Sequence, residues 1–158
     1  MVSTSLTTPH SEDFAVPTHH PPRVNGDRHC TSFNRVLARH GLSPLCRNDT
    51  VDLQLNLGYL CNQACTHCHV DAGPKRTELM TQETMNRILH WCKQQGIQQV
   101  DLTGGAPELN PHFRYLGEAL TRLGIAITSR CNLTILSEPG QNDLSSWYAR
   151  HRVRLVCS

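Results

Sequence analysis

From Val51 onward, apolar and polar positions alternate between two periods. Val51, Leu53, Leu55 and Leu57 stand at every second position, the pattern of a strand that turns one face to a core. Met85, Ile88, Leu89 and Cys92 fall at i, i+3, i+4 and i+7, one stripe of a helix that Thr81 opens and Gly96 ends. Ile97 to Thr103 reads as a second strand. Asn110-Pro111 reads as a cap followed by a first-turn proline, and Phe113, Leu116, Leu120 and Leu123 mark a second buried stripe running to Gly124. Ile125 to Cys131 is a third strand, and Asp143 to Arg150 a weaker helix carrying Leu144 and Trp147. Val153, Leu155 and Cys157 then alternate as a fourth strand.

Strands alternating with helices predict right-handed βαβ crossovers, hence an α/β fold with a parallel sheet. In a barrel of this kind, functional groups lie on the loops after the strands. The loop holding Cys61 to Cys68 and the one holding Gly104-Gly105 follow successive strands, so they become neighbours at one mouth. Beyond this strand–helix rhythm the chain has no internal repeat.

Upstream, residues 1–28 carry paired histidines, paired prolines and few large apolar side chains, a composition that cannot repay the entropy of ordering. A disordered lead is expected there. Residues 29–50 read as a short helical cover for the bottom or edge of the barrel, with Ser32 as cap, Phe33, Val36, Leu37 and His40 on one side, and Gly41 as stop. His29, Cys30 and His40 fit no common metal-ligand spacing and read as solvated side chains. Residues 51–158 form the core.

The 158 residues suffice for one modest domain, near the lower end for a barrel. The net charge is +2 with ten histidines neutral, and no lysine or arginine run is dense enough to track a phosphate backbone, so no nucleic-acid partner is expected. No apolar run approaches the roughly 18 residues of a membrane span. Nor does the N-terminus show the basic start and apolar core of a secretory signal, so a soluble, cytoplasmic protein is expected. In that reducing compartment the eight cysteines are poor disulfide candidates and better metal ligands or small buried residues. Cys92, Cys131 and Cys157 lie on apolar stripes and read as core packing, while Cys30 and Cys46 are uncommitted.

Cys61, Cys65 and Cys68 are different, because they stand at C-x3-C-x2-C in the loop after the first strand. Three thiolates that close together can wrap one face of a metal cluster. A cubane iron–sulfur cluster normally takes four cysteines, so three with no near fourth partner leave one iron open to a small molecule. This spacing resembles the signature of the radical S-adenosylmethionine (SAM) enzymes, whose fourth iron chelates the amino and carboxylate groups of SAM. His67 stands where that family commonly has an aromatic residue. The segment Thr103-Gly104-Gly105-Ala106-Pro107-Glu108 is similar to the family's glycine-rich motif after the second strand, whose backbone contacts the SAM amino group. The usual acid after the two glycines is Ala106 here, and the nearest carboxylate is Glu108. The resemblance implies a [4Fe-4S] cluster on Cys61, Cys65 and Cys68, with SAM near Gly104, Gly105, Ala106 and Glu108. It leaves His67, His69 and Asp71 as loop-shaping residues or, at most, neighbours of the ligands. The implied fold is a partial TIM-type barrel of about six strand–helix units. This sequence supplies about four of them and reads as truncated.

Two rival readings of the cysteines stay open. Cys65-Thr66-His67-Cys68-His69 also matches the C-x-x-C-H pattern of c-type haem attachment, which leaves Cys61 unexplained and needs an exported protein. A structural zinc site using Cys61, Cys65, Cys68 and His67 or His69 has suitable ligand types but unusual spacing and no distant second pair. Either would make the chain a non-catalytic metal-binding module; an inactive fragment of the enzyme is the remaining alternative.

The wording of the motifs narrows the resemblance. Asn56-Leu57-Gly58, Cys61-Asn62-Gln63-Ala64-Cys65, the run Cys68 to Pro74 and the run Thr103 to Pro111 together look like the arsenosugar-biosynthesis radical SAM proteins, over roughly Arg35 to Ser158. In that family the Ala106-Pro107-Glu108 form is ordinary. The reaction it implies joins the 5′-deoxyadenosyl carbon of SAM to the arsenic of a trivalent dimethylarsenical. A one-electron reductant protein such as ferredoxin or flavodoxin supplies the electron that cleaves SAM to a 5′-deoxyadenosyl radical.

Overall fold

The computed structural model describes residues 32–45 and 49–157. The lead expected over residues 1–28 lies outside them, as do His29, Cys30 and Cys46. Contacts divide the chain into two units, residues 1–47 and 48–158. In the first, Ser32–Arg39 forms α1, whose end is closed by hydrogen bonds from His40 and Gly41 N–H back to Leu37 and Ala38 carbonyls. Phe33 and Val36 on this helix are exposed.

The second unit runs β1 (Asp52–Asn56), α2 (Gln82–Gln95), β2 (Gln99–Thr103), α3 (Phe113–Arg122), β3 (Ala126–Cys131), α4 (Leu144–Arg150) and β4 (Arg154–Cys157). Single 3₁₀ turns at Pro107–Leu109 and Thr134–Ser137 sit in the loops after β2 and β3. The four strands are parallel and lie in chain order. That order arises when every crossover steps one strand in the same direction, as in the wall of a (βα) barrel and unlike a doubly wound sheet.

The register separates the two faces. Leu53, Val100 and Ile127 share one row, and Leu55, Leu102, Ser129 and Leu155 the next, with Val100 and Leu102 fully buried. The other face carries Gln54, Asp101, Thr128 and Arg154 in one row. There Asp101 accepts from Gln54 Nε2 at 3.1 Å and from Arg130 at 2.8 Å. A parallel sheet covered on both faces reads as continuous apolar strands. These strands alternate, so one face packs into the core and the other is polar.

Helix α2 matches its sequence pattern closely: Thr81 Oγ1 accepts from Thr84 N–H at 3.3 Å, Gly96 closes the C-terminus, and Met85, Leu89 and Cys92 are buried. Burial pushes the Cys92 thiol above its ordinary range. Helix α3 departs from its pattern at its C-terminal end. It begins at Phe113, and ahead of it Asn110 Oδ1 accepts from His112 N–H and Asn110 O from Phe113 N–H, both at 2.9 Å, as a cap would. Leu123 is exposed and not part of the buried stripe, since the helix has ended at Arg122. Cys131 is buried as expected, whereas Cys157 is exposed. It ends an edge strand, and among the described residues no element packs over it. No helix among the described residues is long and apolar enough to cross a membrane.

Helices α3 and α4 meet at Gly117, where an added Cβ would lie 2.4 Å from Trp147 Cη2. The indole is itself held by the Phe113 ring at 5.2 Å and the His151 ring at 4.6 Å. Gly117→Ala gains about 1 kcal/mol of helix propensity against an overpacking cost of about 1–3 kcal/mol. The expected outcome is a lower urea midpoint; a raised midpoint would mean that the indole gives way.

Candidate active site

The chain leaves β1 without ceasing to pair. Leu57 N–H donates to Thr103 O at 2.8 Å, one further rung of the β1–β2 ladder. Beyond it, residues 58–61 are paired on both sides. On one side Tyr59 N–H donates to Glu78 O at 2.9 Å, Gly73 N–H to Tyr59 O at 3.0 Å and Cys61 N–H to Gly73 O at 3.2 Å. The cysteine-bearing loop therefore returns to its own root. On the other side Gly105 N–H donates to Gly58 O and Ala106 N–H to Leu60 O, both at 2.9 Å.

Glycine is required where the second loop meets the first. A Cβ on Gly104, whose φ is +143°, would lie 2.5 Å from Gly58 O. One on Gly105 would lie 2.5 Å from Leu60 O and 2.9 Å from Cys61 Cβ. Any side chain would push the two loops apart. Among the described residues nothing donates a hydrogen bond to the Gly104 or Gly105 carbonyl oxygens.

Two side chains brace this junction. Buried Asn110 donates through Nδ2 to Leu57 O at 2.8 Å and Met80 O at 3.0 Å, tying the start of the cysteine loop to its end. Arg76 lies 4.8 Å over the Tyr59 ring, donates to Asp71 O at 2.6 Å and pairs with Glu78 at 2.8 Å.

Within the loop, Cys61 is buried, Cys68 half-buried and Cys65 exposed. Cys61 Sγ accepts from Gln63 N–H at 3.4 Å and Cys68 Sγ from Ala72 N–H at 3.3 Å, while Cys65 Sγ lies 3.7 Å from Gln63 Oε1. The three thiols share one loop, yet among the described residues no three His, Cys, Asp or Glu side chains converge as metal ligands. His67 and His69 are exposed, and the Asp71 carboxylate, fully exposed, meets Arg76 at 3.2 Å.

The sequence pointed to Ala106 and Glu108 as cofactor neighbours, and the structure buries both. Glu108 is 5% exposed, with one carboxylate oxygen accepting from the Tyr148 hydroxyl on α4 and the other without a partner among the described residues. Burial, with the Glu108 charge beside it, raises the Tyr148 phenol, and burial lifts the neighbouring Cys131 thiol to about 11.

Sequence reasoning missed a third loop. Asn132, the first residue after β3, donates to Asn62 Oδ1 at 2.8 Å and to Cys61 Sγ at 3.7 Å. Asn62 Nδ2 in turn reaches Thr134 Oγ1 at 2.9 Å and Glu138 Oε1 at 3.0 Å. The signal was present: a polar residue directly after a strand, at the end of the sheet where functional groups gather.

Compared with known proteins, the sequence pattern of the Radical SAM superfamily matches residues 55–144, which takes in the cysteine loop, the glycine loop and Asn132. The chain belongs to the radical SAM superfamily. Radical SAM proteins are enzymes that use a [4Fe-4S] cluster and SAM. Among curated relatives, the probable GTP 3′,8-cyclase of Sulfurisphaera tokodaii is 30% identical over 74 residues, 47% of this chain and 24% of that protein. The probable GTP 3′,8-cyclase of Methanothermobacter marburgensis is 27% identical over 95 residues, 58% of this chain and 30% of that protein. The chain spans about a quarter of the length of the first of these. Streptococcus suis SuiB, in its crystal structure bound to S-adenosylmethionine, aligns with a TM-score of 0.47 at 22% identity, over 62% of this chain and 22% of that one.

For a radical SAM protein the firmness of the cysteine loop matters, and its Arg76–Glu78 brace is pH-dependent. The Arg76 hydrogen bonds pull the Glu78 carboxyl from the ordinary 4.5 down to about 2. A depressed carboxyl contributes its stabilisation above the unfolded value and loses it as pH falls through the folded one. Hydrogen-exchange protection at residues 71–80 is therefore expected to hold above pH 4.5 and to fade toward pH 2. Arg76→Ala should remove that pH dependence, and an identical profile in the variant would show that the brace is not the cause.

Proposed function

We propose that Cys61, Cys65 and Cys68 hold the [4Fe-4S] cluster, that Gly104 and Gly105 turn their carbonyls to the SAM amino group, and that the acceptor is a trivalent dimethylarsenical. The observation that carries this reading is the pairing of the glycine loop with the root of the cysteine loop, through Gly105 on Gly58 O and Ala106 on Leu60 O. Neither a haem nor a zinc reading of the cysteines calls for that second loop. The donor set also fits the cluster: soft thiols suit iron–sulfur chemistry. Backbone N–H groups at Cys61 and Cys68 sulfurs support negative charge there.

When bound, the cluster and SAM supply a 5′-deoxyadenosyl radical by one-electron cleavage of the C5′–S bond. The chain's own task is to bind, orient and shield. An ammonium group donates only, and the Gly104 and Gly105 carbonyls complement it. Ala106 has no carboxylate to offer, so backbone oxygen carries this contact, with Ala106 and the buried Glu108, one of whose oxygens accepts from Tyr148, as its neighbours. Support for the arsenical is the wording of the runs Cys68 to Pro74 and Thr103 to Pro111. The electron comes from a small cytoplasmic reductant of the ferredoxin or flavodoxin type. The reaction printed in the relatives' names makes GTP the competing substrate.

Anaerobic reconstitution is expected to load about four iron and four sulfide per chain. Changing Cys61, Cys65 and Cys68 together to Ala should abolish that uptake, and changing Cys30, Cys46 and Cys92 should leave it intact. Iron retained by the first variant, or one zinc in the wild type, would overturn the cluster assignment. SAM should shift the electron paramagnetic resonance (EPR) spectrum of the reduced cluster. With SAM, a reductant and dimethylarsinous acid, an arsenic-bearing deoxyadenosine is the expected product; its absence beside turnover of GTP would replace the arsenical with the nucleotide.

A further inference from the structure

The amide of Asn132 is oriented by its neighbours. Ile135 N–H, which can only donate, lies 3.1 Å from Oδ1, and the Thr134 hydroxyl lies 3.1 Å from the same atom. Nδ2 therefore faces the opposite way, toward Asn62 Oδ1 at 2.8 Å and Cys61 Sγ at 3.7 Å. Leu133, with a φ of +57°, turns the chain so that Thr134 and Ile135 come back to this oxygen. Cys61 also receives Gln63 N–H and is 7% exposed. Cys68 has a single backbone donor at its sulfur, and Cys65 is exposed. The three thiols are electrostatically unequal: Cys61 is shut off from water and has two N–H donors, one of them from a different βα unit.

We propose that Asn132 is a positioning residue for Cys61 that fixes the direction of its sulfur and raises the reduction potential of the cluster. This rests on the reading of Cys61, Cys65 and Cys68 as ligands. Hydrogen bonds to the sulfurs are among the factors that set cluster potential. Reduction adds negative charge, which an N–H donor stabilises, and in a site poor in water the effect is stronger than in solvent. The donor is locked as well as present. Its other hydrogen is held by Asn62, which Thr134 and Glu138 hold in turn, so Nδ2 stays on the sulfur when the electron leaves.

The test uses the full chain with its reconstituted cluster. Asn132→Asp keeps the acceptor for Ile135 and Thr134 and replaces the donor with a carboxylate oxygen. Asn132→Ala removes the donor without adding charge, and Ser137→Ala alters an exposed position of the same loop outside the hydrogen-bond network that holds Asn132. All three should keep wild-type iron and sulfide. In an EPR-monitored redox titration Asn132→Ala should shift the reduction equilibrium about tenfold toward the oxidised cluster, about 59 mV for one electron. Asn132→Asp should shift it further and Ser137→Ala not at all. An unchanged potential in both Asn132 variants, or an equal fall in Ser137→Ala, overturns the proposal. Iron loss or unfolding of both Asn132 variants, read by iron analysis and circular dichroism, overturns it too, by making the residue one of assembly. Failure of the cluster reading itself appears separately, as iron retained after removal of the three cysteines.

Discussion

Two carbonyl oxygens, Gly58 O and Leu60 O, hold the functional end together by accepting from the loop after β2 while the opposite edge of the same segment is paired with residues 73 and 78. A strand-like segment hydrogen-bonded on both edges cannot shift register without breaking bonds on two sides at once. The cysteine loop therefore has a rigid root even though Cys65 itself is exposed. The same constraint explains why residues 104 and 105 have no side chains, and why Asn110, whose oxygen accepts at the head of α3, is buried as well: its amide nitrogen closes the start and end of the loop together.

The sheet serves that junction through its two unlike faces. Apolar rows under α2, α3 and α4 bury the hydrophobic surface of the unit, while the Gln54–Asp101–Arg130 ladder keeps the opposite face polar. Dividing the labour this way lets one face supply stability and leaves the other free for polar company. It also accounts for alternation in strands that, in a fully covered parallel sheet, would be apolar throughout.

Much of this was legible along the chain because it is encoded locally. Met85, Leu89 and Cys92 betray α2 by spacing, Thr81 and Gly96 mark its ends, and Leu53, Leu55 and Leu57 announce β1 with its loop. The cysteine and glycine motifs are likewise short and self-contained. What escaped depends on partners distant in sequence. Asn110 read as a cap, and its Oδ1 does accept from His112 N–H, but only the folded chain brings Leu57 and Met80 to its amide nitrogen. Glu108 was marked by its place after the two glycines, but its Tyr148 partner is 40 residues away. Cys157 looked like core because its period is right; burial further requires an element to cover it. Asn132 contacts Cys61 across 71 residues, a separation that no local pattern reports.

That last separation also has a temporal meaning. A ribosome adding about 5–20 residues per second takes roughly 4–14 s to travel from Cys61 to Asn132. Cys65 and Cys68 are made early in that interval, and for the rest of it the side chain that donates toward Cys61 is still unmade. The Cys61 sulfur thus gains its second N–H donor only after the chain has been made past β3, so the loop cannot reach its final arrangement of donors while it is the newest part of the chain.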